Sequence, residues 1–229
     1  MYLETNFKDY EFDTYIKLLN VMQPNYIPRF TKKGFIKIKL DSNIFKEITN
    51  SWEKIFTWPV PKKYNLATTS ESSDRKIKAY HFPDKELMTK LHKDLQKMHE
   101  SFCGVKLIPT FAHGFRMYVN GSGLNQHIDR NGSHIIGSII NVNQDVNEPW
   151  PLEIYDHDGH LHEMYLEPGD MLIYESAKLK HSRDKLFDGK YYCNIFFHYK
   201  PVGWDEYRSK WIDKFENELL NKLDEIVGK

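Results

Sequence analysis

The stretch NGSGLNQHIDRNGSH (120–134) carries a histidine and an aspartate two positions apart, directly after a glycine-rich turn signal. Its conformation decides what the pair can do. On a strand, side chains two residues apart leave the same face, so His127 and Asp129 can offer a nitrogen and an oxygen to one cation. The chain contains its own comparison. His92 and Asp94 have the same spacing but fall inside DKELMTKLHKDLQKMHESFCG (84–104), where Leu87, Leu91, Leu95 and Met98 recur at helical intervals and Gly104 marks a stop. Two helical positions differ by about 200°, so that pair diverges. Alone, H-x-D is weak evidence and reads more readily as a polar surface pair beside a turn.

The surroundings favour strands. From residue 105 onward, short apolar runs (FRMYV, HIIGSIINV, LEIYD, LHEMYL, DMLIYE, KYYCNIFFHY) alternate with turn signals (NGSG, RNGS, DHDG, EPGD, FDGK). That rhythm predicts seven or eight short strands in a β-sandwich or jelly roll over about 105–200. Upstream, about 1–104 reads as helical and extended support. MQPNYIPRF is extended around its two prolines, GFIKIKL (34–40) is a half-exposed strand, and DSNIFKEITNSWEKIF is a helix with Ile44, Ile48 and Trp52 on one face. YNLATTSESSDRK (64–76) reads as a loop. Downstream, DEYRSKWIDKFENELLNKLDEIVGK carries Trp211, Phe215, Leu219, Leu223 and Ile226 on one stripe, which predicts a single helix over about 204–227. The expected class is α+β, with residues 1–229 forming one domain.

Composition narrows the partners. Lys plus Arg and Asp plus Glu number 32 each, so nothing attracts nucleic acid or an anionic membrane to the whole molecule. No apolar run reaches the roughly 20 residues of a membrane span. Two cysteines, Cys103 and Cys193, make no disulfide framework and read as buried thiols. With no leader pattern in MYLETNFKDYEFD, a reducing cytoplasmic setting is expected, for a monomer or a homodimer.

A metal needs a third ligand, and His181 supplies a candidate between the apolar runs DMLIYE and KYYCNIFFHY. Two histidines and one carboxylate leave three positions open on an octahedral ion, an arrangement suited to non-haem Fe(II). Zinc is the alternative by raw affinity, in a non-catalytic jelly-roll module. Lys190 follows His181 by nine residues. By alternation it shares a face with Tyr192, Asn194, Phe196 and His198. A lysine there either snorkels into water or, pointing inward, requires an anion.

Taken together, YVNGSGLNQHID and HSRDKLFDGKYYCNIFFH resemble the iron- and 2-oxoglutarate-dependent dioxygenases, closest to their prolyl 4-hydroxylase branch, over about residues 112–200. The resemblance implies a double-stranded β-helix with Fe(II) on His127, Asp129 and His181. It implies 2-oxoglutarate as co-substrate beside O₂, with Lys190 on its distal carboxylate, Tyr118 hydrogen-bonded to the same group, and ascorbate as an optional reductant. It further implies a peptide or protein substrate hydroxylated at an aliphatic C–H, a peptidyl proline first. The same chemistry on a free amino acid, a small metabolite or a nucleobase is the alternative. Keeping Asp129, where halogenating relatives have a small residue, points to hydroxylation. The segment NEPWPLEIY (147–155) departs from the usual Gly-Gly strand, which bears on the substrate entrance. Arg183 and Arg130 are candidate substrate contacts. His134, His198 and the histidines of DHDGHLHE read as structural or solvent-facing.

Overall fold

The computed structural model describes residues 9–57, 74–80, 82 and 84–228. The chain divides into two compact units, one drawn from both ends (up to Pro28, and from Gly203) and one from Arg29–Val202.

In the terminal unit, α1 (Asp9–Met22) continues into a 3-10 turn at Gln23–Asn25 and packs on α5 (Ile212–Val227). Tyr15, Leu19 and Met22 bury against Phe215, Leu219 and Leu223, with Tyr26 edge-on to Phe215 at 5.1 Å. Two expectations are corrected here. MQPNYIPRF, expected as extended, opens helically: Met22 ends α1, and the 3-10 turn at Gln23–Asn25 includes the first proline. The C-terminal helix is also broken: α4 (Trp204–Ser209) ends before Trp211, which leaves helical geometry at φ −133° and starts α5.

The larger unit is built on strands. β1 (Phe35–Lys39), β4 (Ile136–Val146), β7 (Asp170–Tyr174) and β9 (Gly189–Pro201) form one antiparallel layer in the order β1-β7-β4-β9, with the first part of β3 (Leu107–His127) beside β9. The last part of β3 pairs instead with β8 (His181–Arg183), which continues to β5 (Leu152–Tyr155) and β6 (Leu161–Met164). One long strand therefore crosses from one layer to the other, and the layers face each other as a double-stranded β-helix. Between them lie Phe35, Ile139, Leu172, Tyr174 and Phe196 from one layer and Leu152 and Ile154 from the other. The expected α+β jelly-roll class is what the fold shows.

The turn signal NGSG does not end a strand. Extended structure runs through it, with Gly121 at φ 79° and the Val119 amide donating to Ser122 Oγ at 2.8 Å. An L-residue rarely adopts that φ, so glycine lets the strand bend from the first layer into the second. β2 (Asp74–Tyr80) pairs with β3, which makes residues 74–76 of the expected loop a strand; 64–73 lie outside the described residues.

Two helices cover the outer layer. In α2 (Ser42–Thr57), Trp52 meets Phe115 at 5.2 Å. α3 (Lys85–Cys103) starts at Asp84, whose carboxylate accepts the Leu87 amide, and ends at Gly104 with φ 73°. His92 and Asp94 diverge as expected: His92 Nε2 meets the His198 carbonyl, while Asp94 pairs with Lys90. Cys103 and Cys193 are free and buried.

His99 gives a stability prediction. Its buried ring lies 4.2 Å from Tyr199, Nδ1–H donates to the Leu95 carbonyl, and burial pushes its pKa down to about 4 from 6.5. Above pH 6.5 it is neutral folded or unfolded. Between 6.5 and about 4 only the unfolded chain takes up the proton, so stability falls by about 1.4 kcal/mol per pH unit from this group. Urea unfolding of His99→Gln at pH 7, 6 and 5 should show a shallower decline than the parent chain by about that slope.

Candidate metal centre

The last turn of β3 and the start of β8 lie side by side, with His127 opposite His181 in the ladder. Their ring centroids are 4.3 Å apart. Ile128 is buried between His127 and Asp129, and the Asp129 amide donates to the Ser176 carbonyl at 2.8 Å, which fixes the loop that carries the carboxylate. Asp129 Oδ1 then stands 3.8 Å from His127 Nε2 and 4.0 Å from His181 Nε2. One ligand atom from each of the three lies within 4.8 Å of the others.

Backbone carbonyls set the ring tautomers. His127 Nδ1 meets the Asn125 carbonyl at 2.8 Å and His181 Nδ1 meets the Leu179 carbonyl at 2.9 Å. A carbonyl only accepts, so each Nδ1 carries the proton and each Nε2 presents a lone pair toward the shared space. Burial pushes His181 down to about 4, so its ring is neutral at neutral pH. Tyr174 stacks edge-on against His181 at 4.9 Å, and its phenol is held well above the usual range by burial, then by the Asp129 charge. Two imidazoles and one carboxylate, converging on one side and tied from behind, fit a divalent transition metal.

Beside this group lies another, in which His134 and His198, expected to be structural, are joined by a third histidine. His113, His134 and His198 also bring ligand atoms within 4.8 Å of one another. His134 and His198 stack at 3.9 Å, and His198 Nδ1 points to Asp129 Oδ2 at 3.9 Å without a hydrogen-bond partner. Burial lowers all three, His113 to about 3. Arg116, on the same β3 face as Tyr118, lies over the Phe196 ring at 5.0 Å. A third acidic-histidine group, Asp156, Asp158 and His160, sits on the exposed β5–β6 turn, where Asp156 accepts from His162 and two backbone amides. His157 of that turn is not solvent-facing: its side chain is buried on Glu175.

The remaining candidates separate. Tyr118 is buried with Ile77, Trp150, Phe187 and Tyr192. Arg130 is exposed, its carbonyl accepting the His134 amide. Lys190 stands outward, 81% exposed, on Asp145 at 2.8 Å. Its reversal has a local cause. Asp145 pairs with Tyr191 and Val146 with Gly189, so Lys190 is the extra residue of a β-bulge, which turns its side chain out of the alternation. Arg183 is the opposite case, fully buried two residues beyond His181. A cavity of about 730 Å³ is lined by Trp150, Tyr192, Gln144, Leu166 and Lys185 among others; the three metal-facing residues do not line it.

No family model matches the sequence, and no curated protein does either. Solved structures match by fold. A prolyl-4-hydroxylase from Pseudomonas putida aligns with TM-score 0.58 at 14% identity, over 79% of this chain and 99% of that one. A prolyl hydroxylase in complex with a hypoxia inducible factor oxygen degradation domain peptide fragment, from Trichoplax adhaerens, aligns with TM-score 0.54 at 15% identity, over 89% and 97%. EctD from S. alaskensis, solved with 2-oxoglutarate and 5-hydroxyectoine, aligns with TM-score 0.55 at 11% identity, over 76% and 74%. In fold, the chain is a double-stranded β-helix of the Fe(II)/2-oxoglutarate oxygenase type.

Proposed function

We propose that this chain is an Fe(II)- and 2-oxoglutarate-dependent dioxygenase that hydroxylates an aliphatic C–H, with a peptidyl proline as the first substrate class. One observation carries the reading: on this fold, His127 and His181 turn carbonyl-anchored Nε2 lone pairs toward Asp129 Oδ1. Fe(II) held there, with 2-oxoglutarate and O₂, would supply the oxidising power, the co-substrate leaving as succinate and CO₂.

The chain's own residues do the rest. His127 and His181 would each offer a nitrogen to the ion and Asp129 the negative charge, which leaves it able to take up co-substrate and O₂. Tyr174 stays neutral against His181 and brings no competing anion to the ion. The wall of Phe196, Ile139 and Ile154 keeps the interior dry, which prevents loss of oxidising equivalents to water. Tyr118 is placed by this reading on the co-substrate side. The exposed Phe111, close to His113 and His134, marks the outer rim of the histidine group. Peptides dock well on such aromatic rims.

The test is anaerobic addition of Fe(II) and 2-oxoglutarate, followed by air. A weak visible charge-transfer band and then succinate are expected. Proline-rich and collagen-like peptides, with free amino acids in parallel, would be read for a gain of one oxygen by mass spectrometry. Zinc-loaded protein gives no band. No band and no succinate with Fe(II) would refute the oxygenase reading.

A further inference from the structure

Arg183 is 1% exposed, and no ion pair joins it to a carboxylate among the described residues. Nη1 donates to the Trp150 carbonyl at 2.9 Å, while Nη2 has no hydrogen-bond partner. Its guanidinium lies 4.2 Å from the Trp150 ring, 4.6 Å from Tyr192 and 5.7 Å from Tyr118. Three aromatic rings orient a cation but do not neutralise it, and a buried charge without a counter-ion is strongly unfavourable. The cage is a socket lacking one anion.

Its position says which anion. Arg183 and His181 are i and i+2 on β8, so both leave the same face, about 7 Å apart along the strand. A five-carbon diacid whose keto end reaches the metal spans that step with its far carboxylate. Guanidinium also matches a carboxylate better than ammonium does, because its fork offers two parallel N–H donors. The bulge at Lys190 turns that cation out of the interior.

Resting on the oxygenase reading above, we propose that Arg183, rather than Lys190, receives the distal carboxylate of 2-oxoglutarate, with Tyr118 and Tyr192 walling the socket. The cation thus comes from the strand that carries the distal metal ligand, not from the last strand of the barrel.

Anaerobic Fe(II)-loaded protein would be titrated with 2-oxoglutarate and with 2-oxopentanoate, which keeps the chain length but lacks the far carboxylate. Calorimetry and tryptophan fluorescence, with Trp150 against the cage, are the readouts. Arg183→Met should weaken 2-oxoglutarate about 100-fold or more while 2-oxopentanoate and Fe(II) affinities hold, so the preference between the two acids collapses. Arg183→Lys should lose less. The metal-free Arg183→Met protein should melt no lower than the parent, because an unpaired buried charge has been replaced by an apolar side chain. Lys190→Met should leave 2-oxoglutarate affinity within about twofold, as for an exposed pair. Undiminished 2-oxoglutarate binding in both Arg183 variants, or the loss appearing in Lys190→Met, overturns the assignment alone. A parent protein that binds Fe(II) but no 2-oxoglutarate overturns it together with the oxygenase reading.

Discussion

Asp129→Ala should lose Fe(II) affinity by about 100-fold or more and form no detectable succinate, while the domain stays folded. Loss of a group that merely orients a ligand lowers metal affinity by about 10- to 100-fold, so loss of the one anionic ligand costs at least the upper end. His127 Nε2, His181 Nε2 and His198 Nδ1 stand 3.8–4.0 Å from the carboxylate, beyond hydrogen-bond distance, and burial keeps His181 and His198 neutral, so removing the charge breaks no ion pair to these rings. A change in unfolding free energy within about 1 kcal/mol is expected for the metal-free protein, measured in urea. Metal content and succinate are the readouts. Retained turnover would mean that the carboxylate is not a ligand.

Glu175→Ala should have the larger effect on stability. The Glu175 side chain is wholly buried, yet it accepts from the Phe30 amide, the Thr31 amide, Thr31 Oγ1 and His157 Nε2, at 2.8–3.2 Å. Alanine leaves these donors facing a void. Unsatisfied buried groups cost about 1–3 kcal/mol each, so a loss of about 4 kcal/mol or more is expected in urea unfolding. The same residue's carbonyl accepts the Lys178 and Leu179 amides on the way to His181. Loosening that connection should therefore also weaken Fe(II) binding, which the metal titration would register. A change under about 1 kcal/mol would show that water replaces the carboxylate without strain.

How far the sequence reaches can be judged from these residues. Alternation along a strand put His127 and Asp129 on one face, and the apolar runs on either side pointed to His181. The same rule put Lys190 on one face with Tyr192, Asn194, Phe196 and His198, and the ladder departs from it there, since a bulge is an extra residue that no hydrophobic pattern announces. It carried through to Arg183, whose burial depends on three aromatic rings from β3, β9 and the segment before β5. Such a cage is a property of tertiary packing. His113, His134 and His198 likewise come together from separate elements and share no spacing. Glu175 was legible only as the polar end of DMLIYE, because all four of its donors come from distant loops.

The terminal unit has a further consequence for how the protein is made. Its apolar stripe joins α1 to α5, which lie about 190 positions apart in the chain. At synthesis rates of about 5–20 residues per second, Tyr15, Leu19 and Met22 wait roughly 10–40 s on the ribosome before Phe215 and Leu219 emerge. During that interval a nascent-chain chaperone has an unshielded amphipathic helix to hold, and stalling late in translation exposes a sticky surface that the finished molecule conceals.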